Sequence, residues 1–192
     1  MSRKRLVFGV GVNDVDYNVT SYVNGVRVRC PYYVAWTGML GRAYDDKLRS
    51  IRPTYWDVTV CDEWYSFSAF REWMAGQDWQ GKELDKDILF LGNKVYSPDT
   101  CVFVESVVNS FTVDGGAVRG EWPLGVNLNK QNGKFKSSCR NPFTKKQEYL
   151  GYFDCPQEAH LVWKKRKHEL ACQLADLQTD QRVAEALRIR YK

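Results

Sequence analysis

Two Asn-Gly pairs constrain this chain more than any other feature. Asn24-Gly25 separates residues 17–23 from 26–30, and Asn132-Gly133 separates residues 126–129 from 134–140, with each flank alternating apolar and polar side chains. Asn and Gly tolerate the positive φ that a two-residue type I′ turn demands at both central positions, so each pair predicts an antiparallel β-hairpin. Between the hairpins the period changes. Residues 32–45 place Trp36, Met39, Leu40 and Ala43 on one helical face, and residues 67–74 do the same with Phe67, Phe70, Trp73 and Met74. Residues 57–61 alternate as a strand.

The rest of the chain completes an α+β reading. Residues 81–111 predict a compact ββα unit: a strand over 84–91, a turn at Gly92-Asn93, a short strand over 101–104, and a helix opening at Glu105 or Ser106. The glycine-rich polar stretch 112–123 marks a boundary, which divides the chain into residues 1–113, a linker at 114–123, and residues 124–192. Beyond it three strands are expected over 125–129, 134–140 and 148–153. A long helix follows, with Asp154 as its cap, Pro156 in its first turn and Gln157 three residues after the cap. Its apolar stripe is Ala159, Trp163, Leu170, Leu174 and Leu177, and Thr179 is placed to cap a final helix carrying Val183, Leu187 and Tyr191.

Composition narrows the class. Of the 192 residues 44% are hydrophobic and 14% aromatic, enough to bury one sizeable core or two small ones. No apolar run approaches the roughly 18 residues that span a bilayer, and the start of the chain lacks a secretory h-region, so the expected location is the cytoplasm. The six cysteines stand singly, without CxxC pairs or zinc-ligand spacing, and are read as small apolar residues in a reducing compartment. The net charge of +5 is uneven: residues 1–113 carry 13 Lys/Arg against 14 Asp/Glu, and residues 114–192 carry 15 against 9. A positive field in the second half favours a polyanionic partner and a salt-dependent affinity.

One segment concentrates groups capable of chemistry. Glu83, Asp85, Lys86 and Asp87 are followed by Asn93, Lys94, Asp99, Thr100 and Asn109. Strand alternation puts Asp85 and Asp87 on one face and Lys86 on the other, so all three converge only if the strand ends or bulges there. The run LDKDILFLGNKVYSPDTCVFVESVVN, residues 84–109, resembles the HNH (His-Me finger) nuclease motif of phage homing-type endonucleases, and residues 33–44 and 60–67 resemble the lead-in of such proteins. The resemblance spans residues 9–111 and implies a ββα-metal fold that hydrolyses phosphodiester bonds with a divalent ion, Mg²⁺ or Mn²⁺. It places Asp85 and Asn109 as metal ligands and Thr100 where the family has a loop asparagine. Lys86 falls where the family has its general-base histidine. A lysine with an ordinary pKa near 10.4 does not accept a proton at neutral pH, so three roles stay open for Lys86: a base with a depressed pKa, a stabiliser of charge on the phosphate, or a phosphate clamp in an inactive site. Glu83, Asp85 and Lys86 offer the residue types of a restriction-type PD-(D/E)xK site without its spacing. His160 and His168 lie on the C-terminal helix as surface or phosphate-facing groups.

The second half resembles an AP2 domain through Gly125-Val126, Gly133-Lys134-Phe135-Lys136, Tyr149-Leu150-Gly151-Tyr152-Phe153 and Pro156-Gln157-Glu158-Ala159. The resemblance implies a three-stranded antiparallel sheet whose exposed face enters the major groove of double-stranded DNA, with a helix behind and a C-terminal helical extension. Alternation sets Lys134, Lys136 and Ser138 opposite Phe135 and Ser137, and the expected DNA contacts are Lys130, Lys134, Lys136, Arg140, Lys145 and Lys146. Trp122, Phe135, Tyr149, Phe153 and Trp163 are assigned to the core. Two functions are carried forward: a metal-dependent DNA endonuclease cutting at Asp85 and Lys86, and a DNA-binding protein with a degenerate nuclease fold that acts as a phage regulator or anti-defence factor. A basic aromatic sheet also suits single-stranded RNA.

Overall fold

The computed structural model describes residues 6–113 and 120–192. It is an α+β protein of small sheets and divides between Glu105 and Ser106 into two compact units. Among the described residues no helix is long and apolar enough to cross a membrane.

The first unit opens with the hairpin of β1 (Thr20–Val23) and β2 (Val26–Arg29), paired with Val23 opposite Val26. Asn24 and Gly25 have φ of 51° and 76°, the two left-handed residues of the expected type I′ turn. Helix α1 (Pro31–Tyr44) buries Trp36, Met39, Leu40 and Ala43, as its spacing predicts. Helix α2 (Asp46–Ile51) follows, capped by the Asp45 carboxylate. Helix α3 (Phe67–Ala75) turns Phe67, Phe70 and Met74 onto α1, and the Trp36 indole donates to the Trp64 carbonyl at 2.7 Å inside this core. Asp14 fastens the chain start to α3: its carboxylate accepts from the Ser68 backbone N–H and from the hydroxyls of Ser66 and Ser68. Strand β3 (Thr59–Val60) runs parallel to β5 (Val95–Tyr96), and β4 (Glu83–Asp85) runs antiparallel to β6 (Val102–Val104).

The strand expected over 84–91 stops at Asp85. The Asp85 carboxylate oxygen Oδ1 accepts from the backbone N–H groups of Asp87 and Ile88 at 2.8 and 2.7 Å, bending the chain out of the ladder. A side chain competing for backbone donors is a common way for Asp to end regular structure. The helix of the expected ββα unit, α4 (Ser106–Thr112), forms where the sequence places it but belongs to the second unit.

In that unit β7 (Val126–Asn129), β8 (Lys134–Arg140) and β9 (Gln147–Phe153) form an antiparallel sheet in the order β7-β8-β9. The turn at Asn132-Gly133 is not the expected two-residue type I′ turn. Asn129 pairs with Lys134 across a four-residue loop in which only Gly133 takes a positive φ, 70°. Helix α5 (Pro156–Ala175) lies across one face of the sheet, burying Ala159, Trp163, Leu170 and Leu174, while Leu177 lies past its end and is exposed. Cys155 occupies the cap position expected for Asp154, which pairs with Lys134 instead. Helix α6 (Gln181–Arg190) is capped by Asp180 rather than Thr179 and buries Val183 and Leu187 against α5.

Helix α4 is tied to this unit through its C-terminal end. The Lys167 ammonium of α5 donates to the Phe111 carbonyl at 2.8 Å and sits 3.5 Å from the centre of the Phe111 ring. Arg190 and Tyr191 donate to the carbonyls of Thr112 and Phe111. Burial lowers the Lys167 pKa to about 8. Cysteines are all free; Cys101 and Cys139 are buried and the other four half-buried.

Candidate functional site

The β7-β8-β9 sheet has one covered and one open face. Ser137 Oγ donates to the Ala159 carbonyl of α5 at 2.7 Å, and Glu148, opposite Cys139 in the register, holds Arg166 of α5, so these side chains lie beneath the helix. Alternation along β8 therefore turns Lys134, Lys136, Ser138 and Arg140 to the other face, as the sequence predicts. Strand β9 breaks its own alternation: Ser137 pairs with Gly151 and Ser138 with Tyr149, leaving Leu150 as the extra residue of a β-bulge. The bulge brings Tyr149 and Tyr152 to the same face, 58% and 41% exposed, with ring centres 5.4 Å apart. Tyr149, expected in the core, is thus a surface residue. Trp163 is buried and Phe135 and Phe153 half-buried, in keeping with the core assignment.

Side-chain contacts organise the open face. Asn129 donates to the Tyr152 hydroxyl at 2.8 Å, Gln147 donates to Ser138 Oγ at 3.0 Å, and the Lys136 ammonium lies 5.9 Å from the Tyr149 ring centre. Lys134 pairs with the exposed Asp154 at 3.0 Å; no ion pair joins Lys130, Lys136, Arg140, Lys145 or Lys146 to an acid among the described residues. Sequence reasoning missed Asn129, Gln147, Tyr149 and Tyr152. The available signal was Gly151, a glycine inside an apolar strand, which marks bulges.

Behind the face a polar clamp fixes the β8–β9 end. Arg166 grips Glu148 through Nε and Nη2 at 2.7 and 3.1 Å, and buried Asn141 donates to Glu148 Oε1 at 2.7 Å. The Arg166 and Asn141 hydrogen bonds pull the Glu148 carboxyl down to about 2. Both histidines are half-buried. His160 bonds the Leu124 carbonyl through Nδ1 at 2.9 Å and stacks on Trp163, and His168 lies against Cys172.

In the first unit Lys86 is 7% exposed, and its ammonium donates to Asp87 Oδ2 at 2.9 Å and to the Asn93 carbonyl at 3.0 Å. Asn93 returns the contact, donating to the Lys86 carbonyl at 2.6 Å and the Val95 carbonyl at 2.7 Å. Lys86 and Asn93 therefore close the loop that follows β4, leaving Phe90 and Leu91 exposed at its tip. Burial, and then the Asp87 charge, raise the Asp85 pKa above the ordinary carboxylate value. Thr100 Oγ1 donates to the Val95 carbonyl at 2.7 Å, as part of a turn. Asn109 lies on α4, in the second unit, whereas Asp85 and Lys86 lie in the first.

A divalent ion requires convergent hard ligands. Among the described residues no group of three or more His, Cys, Asp or Glu side chains is placed to hold one. Asp85 commits Oδ1 to two backbone N–H groups, and Asp87 Oδ2 accepts from the Lys86 ammonium. Comparison with protein-family models, with curated proteins and with solved structures finds no match to this chain.

Proposed function

We propose that this chain binds double-stranded DNA through the open face of β7-β8-β9 and that the Asp85–Lys86 cluster serves the fold. The observation that carries the reading is the composition of one face. Lys134, Lys136 and Arg140 alternate along β8 beside Asn129, Gln147 and two exposed tyrosines, while α5 fills the opposite face. Amide groups read base edges, cations neutralise phosphates, and the major groove is wide enough to admit a β element. Phosphodiester hydrolysis at Asp85 and Lys86 has weaker support, because the lysine ammonium is buried on two oxygens.

The test is fluorescence anisotropy with a labelled 20-base-pair duplex, titrated between 50 and 300 mM salt. Lys136→Ala and Arg140→Ala are each expected to weaken binding and to lower the slope of log affinity against log salt by about 0.9. No binding by the wild type at 50 mM salt would sink the proposal. Tighter capture of a single-stranded RNA of equal length would redirect it, and cleavage of supercoiled plasmid in Mg²⁺ or Mn²⁺ would restore the nuclease reading.

A further inference from the structure

The hairpin of β1 and β2 stands outside the core of the first unit. Every residue from Ser21 to Arg29 is exposed, Tyr22 at 73% and Val26 at 64%. A lone two-stranded hairpin is marginally stable at best in water, so this one depends on its base. There Val19 and Cys30 pack against the core, the Cys30 N–H donates to the Val19 carbonyl at 2.9 Å, and α1 begins at the next residue. The hairpin is an exposed ribbon on a fixed root.

Its register sorts the side chains into two unlike faces. Thr20 stands opposite Arg29 and Tyr22 opposite Arg27 in an unbroken ladder, so these four share one face. Ser21, Val23, Val26 and Val28 take the other, where the valines favour an extended backbone. The first face offers two guanidinium groups, two hydroxyls and no carboxylate. Residues 17–44 carry three arginines and no Lys, Asp or Glu, and the third, Arg42, donates to the Tyr96 hydroxyl. Among the described residues no ion pair reaches Arg27 or Arg29. Arg29 is oriented from below: its guanidinium lies 5.9 Å from the centre of the Tyr33 ring, which makes an edge contact with buried Phe67.

A cationic face without acids fits a polyanion. A ribbon two strands wide is narrow enough to enter the major groove of a duplex, and Arg, Thr and Tyr donate to phosphate oxygens. Pairing of two copies along the β2 edge is disfavoured, since it would set like-charged arginines side by side. We infer that the β1–β2 hairpin is a duplex-binding arm of the first unit, with Thr20, Tyr22, Arg27 and Arg29 facing the phosphate backbone. The inference rests on the reading that the partner is double-stranded DNA, and it adds a contact to the one proposed for the open face of β7-β8-β9.

The test titrates full-length Arg27→Ala/Arg29→Ala against a labelled random-sequence 20-base-pair duplex, beside the wild type and Arg27→Lys/Arg29→Lys. With two phosphates no longer neutralised, the alanine variant should bind roughly 10- to 60-fold more weakly at 0.1 M salt, with a slope of log affinity on log salt lower by about 1.8. The lysine variant keeps both charges and should keep the slope. Both sites are exposed, so the thermal midpoints should stay within about 3 °C of the wild type. An alanine variant that binds like the wild type overturns the arm and leaves the open face standing. Loss of binding in that variant, while Lys136→Ala and Arg140→Ala bind normally, supports the arm and refutes the open face. A wild type that leaves the duplex unbound at 50 mM salt overturns both. A wild-type dimer that the alanine substitutions dissociate makes the hairpin an interface between copies and overturns the arm.

Discussion

Replacing Lys86 with methionine distinguishes a lysine that holds a loop from one that acts on a phosphate. Methionine keeps most of the apolar stem and removes the ammonium. Two hydrogen bonds disappear, to the Asn93 carbonyl at 3.0 Å and to Asp87 Oδ2 at 2.9 Å. A hydrogen bond with a charged partner contributes about 1.5–3 kcal/mol net. The Asp87 side chain is 38% exposed and rehydrates when released, so its share falls to about 1 kcal/mol or less. Relief from burying the ammonium offsets part of the loss. The balance is a destabilisation of about 2 kcal/mol, read as a lower urea midpoint at unchanged m-value. Hydrogen exchange should localise the effect to the loop after β4, where the Asn93 and Val95 amides lose protection. The reasoning fails if Lys86→Met unfolds within about 0.5 kcal/mol of the wild type. It fails most tellingly if that same variant loses a metal-dependent plasmid cleavage that the wild type shows.

Three further outcomes follow from the same structure. Asp85→Asn keeps the oxygen that accepts from the Asp87 and Ile88 N–H groups and removes a charge that burial disfavours. It should therefore be neutral or stabilising at pH 7 by urea unfolding, and its advantage should shrink as pH falls through the raised Asp85 pKa, where the wild-type carboxyl becomes neutral. Glu148, held at about 2 against an ordinary 4.5, contributes stability that is complete above pH 4.5 and lost as pH falls toward 2, so Glu148→Gln should be less stable at pH 7 and flatten the acid limb of the unfolding profile across that window. Gly125 sits at φ 76° with the Trp163 ring where a Cβ would be, so Gly125→Ala should cost more than about 3 kcal/mol, seen as a large drop in the thermal midpoint of the second unit.

Elements governed by local periodicity were legible in the sequence. The buried face of α1 and the limits of β7 and β8 follow from side-chain spacing, and the hairpin at Asn24-Gly25 from turn chemistry. What was not legible depends on groups distant in sequence or on a single competing hydrogen bond. The strand after Glu83 is cut short because the Asp85 carboxylate captures two backbone donors, which no periodicity reveals. Tyr149 reaches the surface because Leu150 is an extra residue, and a slip of one residue reverses every side chain beyond it. Lys86 is the sharpest case: its residue type suggested chemistry at a phosphate, and no periodicity reveals that its ammonium is buried on Asn93 and Asp87. The basic run along β8 was legible as an alternation, but its amide and tyrosine neighbours on β9 were hidden by the bulge.

The allegiance of α4 has a consequence for how this chain could be divided or exchanged by recombination. β6 ends at Val104 and α4 begins at Ser106, so the two compact units meet in sequence at Glu105–Ser106, ahead of the glycine-rich stretch that composition singles out. A gene segment starting at codon 124 would encode a sheet and two helices whose Lys167 has lost both the Phe111 carbonyl and the ring it rests on. A segment starting at codon 106 carries those partners along. The heritable unit is therefore longer than the sheet and its covering helix, and a chimera joined at Ser106 inherits a lysine that still has somewhere to go.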